Sequence, residues 1–132
     1  MDDTITPCIL VVDDDELLRS VIIDLLEMSG YRVAAAASAS AGIDFCRLTP
    51  PNLVLLDALM PDMDGFECCR ILRTEPSTQN IPILMMTALS EGDTAEQIIA
   101  AGATDYVVKP FKPQHLLRLI ATLIASSAQT PY

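Results

Sequence analysis

Residues 53–67 read LVLLDALMPDMDGFE. The apolar run Leu53–Leu56 predicts a strand covered on both faces, which is typical of parallel sheets. Asp57 follows this run directly, and Asp64 precedes a segment whose apolar residues repeat with the period of a helix. An Asp at that point suits a helix N-cap, because its carboxylate accepts hydrogen bonds from the first free N–H groups. The segment therefore predicts a strand, a loop and a helix, the repeating unit of α/β proteins.

The same alternation of apolar runs and helical segments occurs five times along the chain, which predicts a parallel sheet covered by helices. The predicted strands are Cys8–Val12, Tyr31–Ala35, Leu53–Leu56, Ile83–Met86 and Tyr106–Val108. The second of these strands carries Arg32, so we expect it at an edge of the sheet. Gly30 and Gly102 stand where left-handed C-caps of helices are expected.

The length and charge of the chain indicate one acidic domain. Of its 132 residues, 51% are hydrophobic, and 8 basic against 18 acidic side chains give a formal charge of −10. We expect a single domain over residues 1–132, with a core from about 8 to 124 and a tail or linker over 125–132. Binding of phosphates requires clustered Lys and Arg, so this acidity predicts no direct nucleic-acid binding.

The sequence also predicts a cytoplasmic protein without membrane contact. No apolar stretch reaches the roughly 18 residues that a membrane helix needs. Residues 1–8 lack the basic and apolar regions of a signal peptide. The four cysteines have neither C-x-x-C spacing nor nearby histidines, so we interpret them as core residues.

Polar side chains stand at the end of four of the five predicted strands. They are Asp13, Asp14, Asp57, Thr87 and Lys109. Sites in open parallel sheets form at the carboxyl ends of the strands, so these side chains are expected to converge at one edge. Singly, each has an ordinary explanation as a cap, a turn residue or a solvated charge. Together, the carboxylates would repel one another at close range, which indicates that a cation belongs among them.

Mg²⁺ and Lys109 fit that need. Asp14 and Asp57 offer the hard oxygens that Mg²⁺ prefers, and Asp13 can hold one of its waters. With the metal bound, Asp57 becomes a nucleophile toward phosphorus, since carboxylates form acyl phosphates. Thr87 and Lys109 would then face the phosphoryl oxygens, and the chemistry would consist mainly of positioning and charge neutralisation.

Four sequence runs carry a family resemblance over nearly the whole chain, from about Cys8 to Ile124. The runs are ILVVDDDELLR, LVLLDALMPDMDGFE, ILMMTAL and YVVKPF. In this order and spacing they resemble the receiver domain of two-component response regulators. The resemblance implies an α/β fold of the flavodoxin-like type, a doubly wound (βα)5 chain with a five-stranded parallel sheet in the order 2-1-3-4-5.

The resemblance also implies a role for each motif residue. Asp57 matches the phosphoacceptor, Asp13 and Asp14 the acidic pair, and the main-chain carbonyl of Leu59 a further Mg²⁺ ligand. Thr87 matches the switch hydroxyl, Tyr106 the switch aromatic, and Lys109 the phosphoryl-binding lysine. The peptide bond between Lys109 and Pro110 is expected to be cis, a geometry largely restricted to bonds before proline.

The implied function is a signalling switch rather than an enzyme. A phosphohistidine of a sensor histidine kinase, or of a histidine phosphotransfer protein, would donate to Asp57. The face of the fourth helix, fifth strand and fifth helix would then bind an output protein, an output domain or a second copy of the chain. The alternative is a receiver that is not phosphorylated and acts as a constitutive scaffold.

Two apolar residues give the match individual character. Leu59 and Leu89 lie two residues after Asp57 and Thr87, where members of the family often carry polar side chains that influence attack by water. We therefore expect a long-lived acyl phosphate. An aspartate-nucleophile phosphohydrolase would carry a second acid two residues after Asp57, but that residue is Leu59. If DMDG were part of a calcium-binding EF-hand loop, Met60 would occupy the first ligand position, where an oxygen ligand is needed. The sequence therefore favours neither of these two functions.

Overall fold

A computed structural model of the chain describes residues 6–89 and 94–128. In this part of the chain, five parallel strands form one sheet in the order β2-β1-β3-β4-β5. The strands are β1 (Cys8–Val12), β2 (Arg32–Ala36), β3 (Leu53–Asp57), β4 (Ile83–Thr87) and β5 (Asp105–Val108). The helices are α1 (Glu16–Met28), α2 (Ala39–Leu48), α3 (Gly65–Thr74), α4 (Ala95–Ala100) and α5 (Pro113–Ala128). The flavodoxin-like fold predicted from the sequence is confirmed.

The second strand differs from its prediction by one residue at each end. The N–H of Tyr31 donates to the carbonyl of Leu26 (3.2 Å), so Tyr31 belongs to the turn that closes α1. Gly30 in the same turn has a φ of 95°, and Gly102, after α4, has a φ of 111°. Both glycines therefore adopt the left-handed conformation predicted for them. Pairing of β2 with β1 begins at Arg32, and β2 lies at the edge of the sheet as expected.

Each face of the sheet is covered by its own apolar layer. Leu10 and Leu56 pack with residues of α2, α3 and α4 such as Ile43. Ile9 and its neighbours on the other face pack with α1 and α5, where Leu116 is fully buried. Because successive side chains of a strand point to opposite faces, a continuously apolar strand serves both layers.

Three of the cysteines belong to the first of these layers. Cys46, Cys68 and Cys69 are buried free thiols, whereas Cys8 is half-buried. Burial raises the pKa of these three thiols to about 11, 12 and 11 respectively. They therefore behave as small core side chains, as predicted.

The last helix is longer than the sequence indicated. Helix α5 continues to Ala128, four residues into the segment predicted as a tail or linker, and residues 129–132 lie outside the described part of the chain. Residues 1–5, on which part of the signal-peptide prediction rests, lie outside it too. No helix among the described residues has the length and apolar character to span a membrane.

Candidate functional site

The carboxyl ends of β1 and β3 bring three carboxylates together. Asp13 and Asp14 follow β1, and Asp57 is the last residue of β3. One side-chain oxygen from each of these residues lies within 4.8 Å of the others. Neighbouring strands of a sheet are only about 4.8 Å apart, so acids at adjacent strand ends are forced into this proximity. The acidic cluster predicted from the sequence is therefore present.

Asp13 is the most deeply buried member of this cluster. Its Oδ1 accepts a hydrogen bond from the N–H of Asp15 (2.9 Å), and its own N–H donates to the carbonyl of Ala36 (3.1 Å). Its Oδ2 is buried and has no hydrogen-bond partner among the described residues. Loss of hydration raises the pKa of Asp13, and the neighbouring carboxylate of Asp57 acts in the same direction.

Asp57 is paired with Lys109 from the end of β5. The Nζ of Lys109 donates to Oδ1 of Asp57 at 2.5 Å. Burial of Asp57 raises the pKa of its carboxyl group, while the ammonium of Lys109 opposes this by favouring the charged form. Asp57 thus joins the acidic cluster on one side to a cation on the other.

Thr87 and Lys109 are held together through their backbones. The N–H of Lys109 donates to the carbonyl of Thr87 (2.8 Å), and the Lys109–Pro110 peptide bond is cis, as expected. The hydroxyl of Thr87 accepts a hydrogen bond from the N–H of Leu89 (3.0 Å). A cavity of about 90 Å³ lies against Asp57, Thr87 and Lys109. These three side chains can therefore reach one small group in the same space.

The remaining motif residues lie around this cavity. Leu59 also lines it, yet its side chain is 60% exposed. Tyr106 is half-buried on β5 and packs against the same apolar layer as Leu89. His115 is exposed on α5 and lies outside the cavity lining.

Gly65, the first residue of α3, has a part in the site that sequence reasoning missed. A Cβ on Gly65 would lie 2.6 Å from the carbonyl oxygen of Asp57 and 2.9 Å from the Cα of Ala58. The N–H of Gly65 also donates to the carbonyl of Ala58 (2.8 Å). Glycine therefore allows α3 to start directly against the backbone of the cluster residue Asp57. The Asp-Gly pair at residues 64–65 was the available signal.

A second contact that sequence reasoning missed involves Arg19 on α1. Its guanidinium donates to the carbonyl of Asp13 (2.7 Å). This bond fixes the backbone at the start of the β1–α1 loop, which carries two of the three acids. No sequence signal specified the contact of this half-buried arginine.

The donor set fits a hard divalent cation. A buried carboxylate oxygen without a partner is costly unless an ion or a proton meets it, and Oδ2 of Asp13 is in that position. Mg²⁺ takes one or two carboxylates and keeps several waters, which matches a half-open cluster of three acids. Asp13, Asp14 and Asp57 are the residues that would hold it.

Residues 9–121 match the family of response regulator receiver domains. The chain belongs to this family. It is 45% identical over 118 residues to a probable transcriptional regulator, ycf27, of Cyanophora paradoxa, covering 88% of the chain and 47% of that protein. It is also 35% identical over 125 residues to the DNA-binding dual master transcriptional regulator RpaA of Synechocystis sp., covering 95% of the chain and 52% of that protein. This receiver domain thus spans about half the length of these curated relatives.

A solved receiver domain gives the same fold with a metal bound. It comes from a sensor histidine kinase of Pseudomonas aeruginosa, and its structure has a magnesium ion coordinated in the active-site cleft. The TM-score is 0.84 at 30% identity, over 91% of this chain and 98% of the other. That receiver domain thus holds Mg²⁺ in its active-site cleft, and this chain has a group of three acids that could hold such an ion.

The expectation that the protein makes no direct nucleic-acid contact was wrong. Relatives that this chain matches include DNA-binding transcriptional regulators, each about twice as long as the chain. The inference came from the net charge of 132 residues, and a charge summed over one domain carries no information about the rest of a longer protein. Acidity describes the surface of the receiver domain alone.

Proposed function

We propose that this receiver domain is a Mg²⁺-dependent phosphoacceptor whose phosphorylated residue is Asp57. The observation that carries the proposal is the position of Asp57, which contacts Lys109 and shares a cluster with two other carboxylates. One side of Asp57 therefore offers a cation for phosphoryl oxygens, and the other offers ligands for a metal. The main-chain carbonyl of Leu59 is proposed as a further metal ligand.

The phosphoryl donor is proposed to be a phosphohistidine of a sensor histidine kinase or of a histidine phosphotransfer protein. A carboxylate oxygen of Asp57 attacks phosphorus, so a P–O bond forms while the P–N bond of the donor breaks. The histidine nitrogen keeps the electron pair of that bond. Mg²⁺, when bound, supplies positive charge beside the phosphoryl oxygens. Lys109 binds one of those oxygens after leaving its contact with Asp57, and Thr87 donates its hydroxyl hydrogen to another.

The switch is proposed to run from Thr87 to Tyr106. When the hydroxyl of Thr87 turns to the phosphoryl group, it leaves the N–H of Leu89. Tyr106 and Leu89 pack against the same apolar layer, so the ring of Tyr106 is proposed to move inward as that segment shifts. The surface of α4, β5 and α5 changes as a result. Ile99 and Val108 on that surface are 48% and 40% exposed, which suits an interface with an output domain or a second copy.

The output is proposed to be transcription control in the cytoplasm. This proposal rests on the DNA-binding relatives, in which the matched receiver segment makes up about half of the protein. The phosphoryl group adds about −1.5 to −2 charges by analogy with other phosphorylated side chains. A shift from 1:99 to 99:1 between two states requires about 5.5 kcal/mol of differential stabilisation. A metal, an ammonium and a hydroxyl together can supply it.

Intact-mass measurement after incubation with Mg²⁺ and acetyl phosphate tests the proposal. One added phosphoryl group is expected on the wild type and none on Asp57→Asn or in the presence of a chelator. Glu67→Gln on the exposed side of α3 is the matched control and should accept phosphate normally. Absence of an adduct, also with phosphorylated histidine kinases as donors, would replace the switch with the constitutive scaffold.

A further inference from the structure

The carboxylate of Asp62 is bound to the start of helix α2. It accepts hydrogen bonds from the N–H of Ala39 (3.2 Å), the N–H of Ser40 (2.9 Å) and the hydroxyl of Ser40 (3.0 Å). The next N–H of the helix, that of Ala41, is bound by the helix's own cap, Ser38. Asp62 therefore completes a helix N-terminus from a different loop, where a negative charge is favoured.

Asp62 lies in the middle of the loop that joins β3 to α3, residues 58–64. Both ends of this loop are fixed. The N–H of Ala58 donates to the carbonyl of Met86 (2.9 Å), and its carbonyl accepts from Gly65 (2.8 Å). Between those ends, the Leu59 side chain is largely exposed, and Asp62 is three residues further on. The hydrogen bonds of Asp62 are thus placed to hold the part of the loop that carries the carbonyl of Leu59.

The helix that Asp62 binds is itself connected to the acidic cluster. Strand β2 ends at Ala36, whose carbonyl accepts the N–H of Asp13 (3.1 Å), and Ser38 and α2 follow at once. A continuous series of backbone and hydrogen-bond contacts therefore runs from Asp13 through the start of α2 to Asp62. It joins the two loops that carry the proposed metal ligands.

We propose that Asp62 is a positioning residue for the metal site: by fixing loop 58–64 on the N-terminus of α2, it sets the affinity of the receiver domain for Mg²⁺. This inference rests on the proposed function. Asp62 touches neither the metal nor the phosphoryl group, and it acts through the loop backbone. Residues that orient metal ligands strongly affect affinity because a misplaced ligand must be reordered on binding.

The charged form of Asp62 is the one that makes these contacts. Hydrogen bonding to the N–H of Ser40 is the main cause that lowers the pKa of the Asp62 carboxyl group, and the other bonds to Ala39 and Ser40 add to it. The side chain therefore accepts all three hydrogen bonds at neutral pH. The structure shows these three hydrogen bonds directly, and the proposal rests on them and not on the pKa of Asp62.

Calorimetric titration of the unphosphorylated full chain with MgCl₂ tests the inference on wild type and on variants at Asp62, Asp44 and Ser40. Asp62→Ala removes all three hydrogen bonds and is expected to raise the Kd for Mg²⁺ about 10-fold. Asp62→Asn loses the charge and one acceptor oxygen. Its amide carbonyl can still accept both hydrogen bonds of Ser40, whereas its NH₂ cannot accept from Ala39, so its Kd is expected between those of wild type and Asp62→Ala. Asp44→Ala removes an equal charge from the exposed face of α2 and is the matched control.

The outcomes separate positioning from charge and from general destabilisation. Equal weakening by Asp62→Ala and Asp62→Asn would show that the hydrogen bonds from Ser40 do not affect Mg²⁺ affinity, and would overturn the inference. A wild-type Kd in Asp62→Ala would overturn it as well while leaving the proposed function intact. Thermal midpoints without metal are measured in parallel, and Ser40→Ala, which removes one bond, should shift the Kd in the same direction by a smaller factor. A wild type that binds no Mg²⁺ would remove the proposed function and the inference together.

Discussion

The loop after β3 and the segment after β4, which both line the cavity beside Asp57, are held by different numbers of contacts. Loop 58–64 is held at both ends by backbone hydrogen bonds and in its middle by Asp62. The segment after β4 begins with Ala88 and Leu89, and Leu89 has a φ of 53°, a left-handed conformation that costs a leucine about 1–2 kcal/mol. Its described contacts to the site include one hydrogen bond, from the N–H of Leu89 to Thr87. Loop 58–64, which carries the proposed metal ligand Leu59, is therefore fixed by several hydrogen bonds, whereas Leu89 holds a strained backbone conformation.

Gly65→Ala should disrupt the packing of α3 against the backbone at the start of loop 58–64, and we expect it to have the largest effect. The added Cβ would lie 2.6 Å from the carbonyl oxygen of Asp57, where backbone must move. We expect a loss of about 3 kcal/mol in the free energy of unfolding, measured by urea titration. Gly30→Ala is the matched control, because it meets no atom within 4 Å and suffers only from its φ of 95°. Its expected cost is about 1 kcal/mol, so equal losses in the two variants would refute the steric explanation.

Lys109→Ala should remove the ion pair between Lys109, after β5, and Asp57, at the end of β3. Without its ammonium, neither the Asp57 carboxylate nor the incoming phosphoryl oxygens have their cationic partner. We expect the rate of phosphorylation by acetyl phosphate to fall about 100-fold. Lys112→Ala is the control, since that lysine is exposed and makes no contact with Asp57 in the described structure. A rate within threefold of wild type in Lys109→Ala would contradict the assigned role.

The double variant Leu59→Asn, Leu89→Glu places one polar side chain on each of the two segments, and so tests whether they control attack by water. Both wild-type side chains are apolar and cannot orient a water for attack on the acyl phosphate. First-order loss of the phosphoryl group after removal of the donor should become about tenfold faster in the double variant. The single variants show which loop controls water. An unchanged decay rate in the double variant would mean that solvent access alone sets the lifetime.

Asp13→Asn should have the smallest effect, and it should stabilise the protein. Burial disfavours the charged form of Asp13, and its Oδ2 has no partner in the described structure. The neutral amide is therefore expected to raise the free energy of unfolding without metal by about 1 kcal/mol. Addition of MgCl₂ should stabilise wild type and leave the variant nearly unchanged in thermal melting. Destabilisation of the metal-free variant would contradict this account.

Much of the fold follows from local sequence patterns. The run Leu53–Leu56 identifies a central strand, and observed β3 differs from it only by the addition of Asp57. The same pattern failed for Tyr31, because a half-buried aromatic residue fits a strand or a helix-closing turn equally well. The hydrogen bond from the N–H of Tyr31 to Leu26 places Tyr31 in the turn, and this bond depends on how α1 ends.

The candidate site was accessible from the sequence to the extent that strand ends define it. Asp13, Asp57 and Lys109 all follow apolar runs, so topology alone brings them together. The contacts of Gly65 and Asp62 depend on distances between loops that are far apart in sequence, such as the 22 residues between Ser40 and Asp62. No local pattern contains that information.

Because one thiol is partly exposed and three are buried, cysteine labelling can report when the core of this protein opens. Cys46, Cys68 and Cys69 are buried in one apolar layer with raised pKa values, and Cys8, the first residue of β1, is accessible in part. An alkylating reagent should therefore modify Cys8 first and the other three only when the layer beneath α2 and α3 separates. Mass spectra taken during such labelling would time the opening of that layer without any added probe, in the presence or absence of phosphate on the protein.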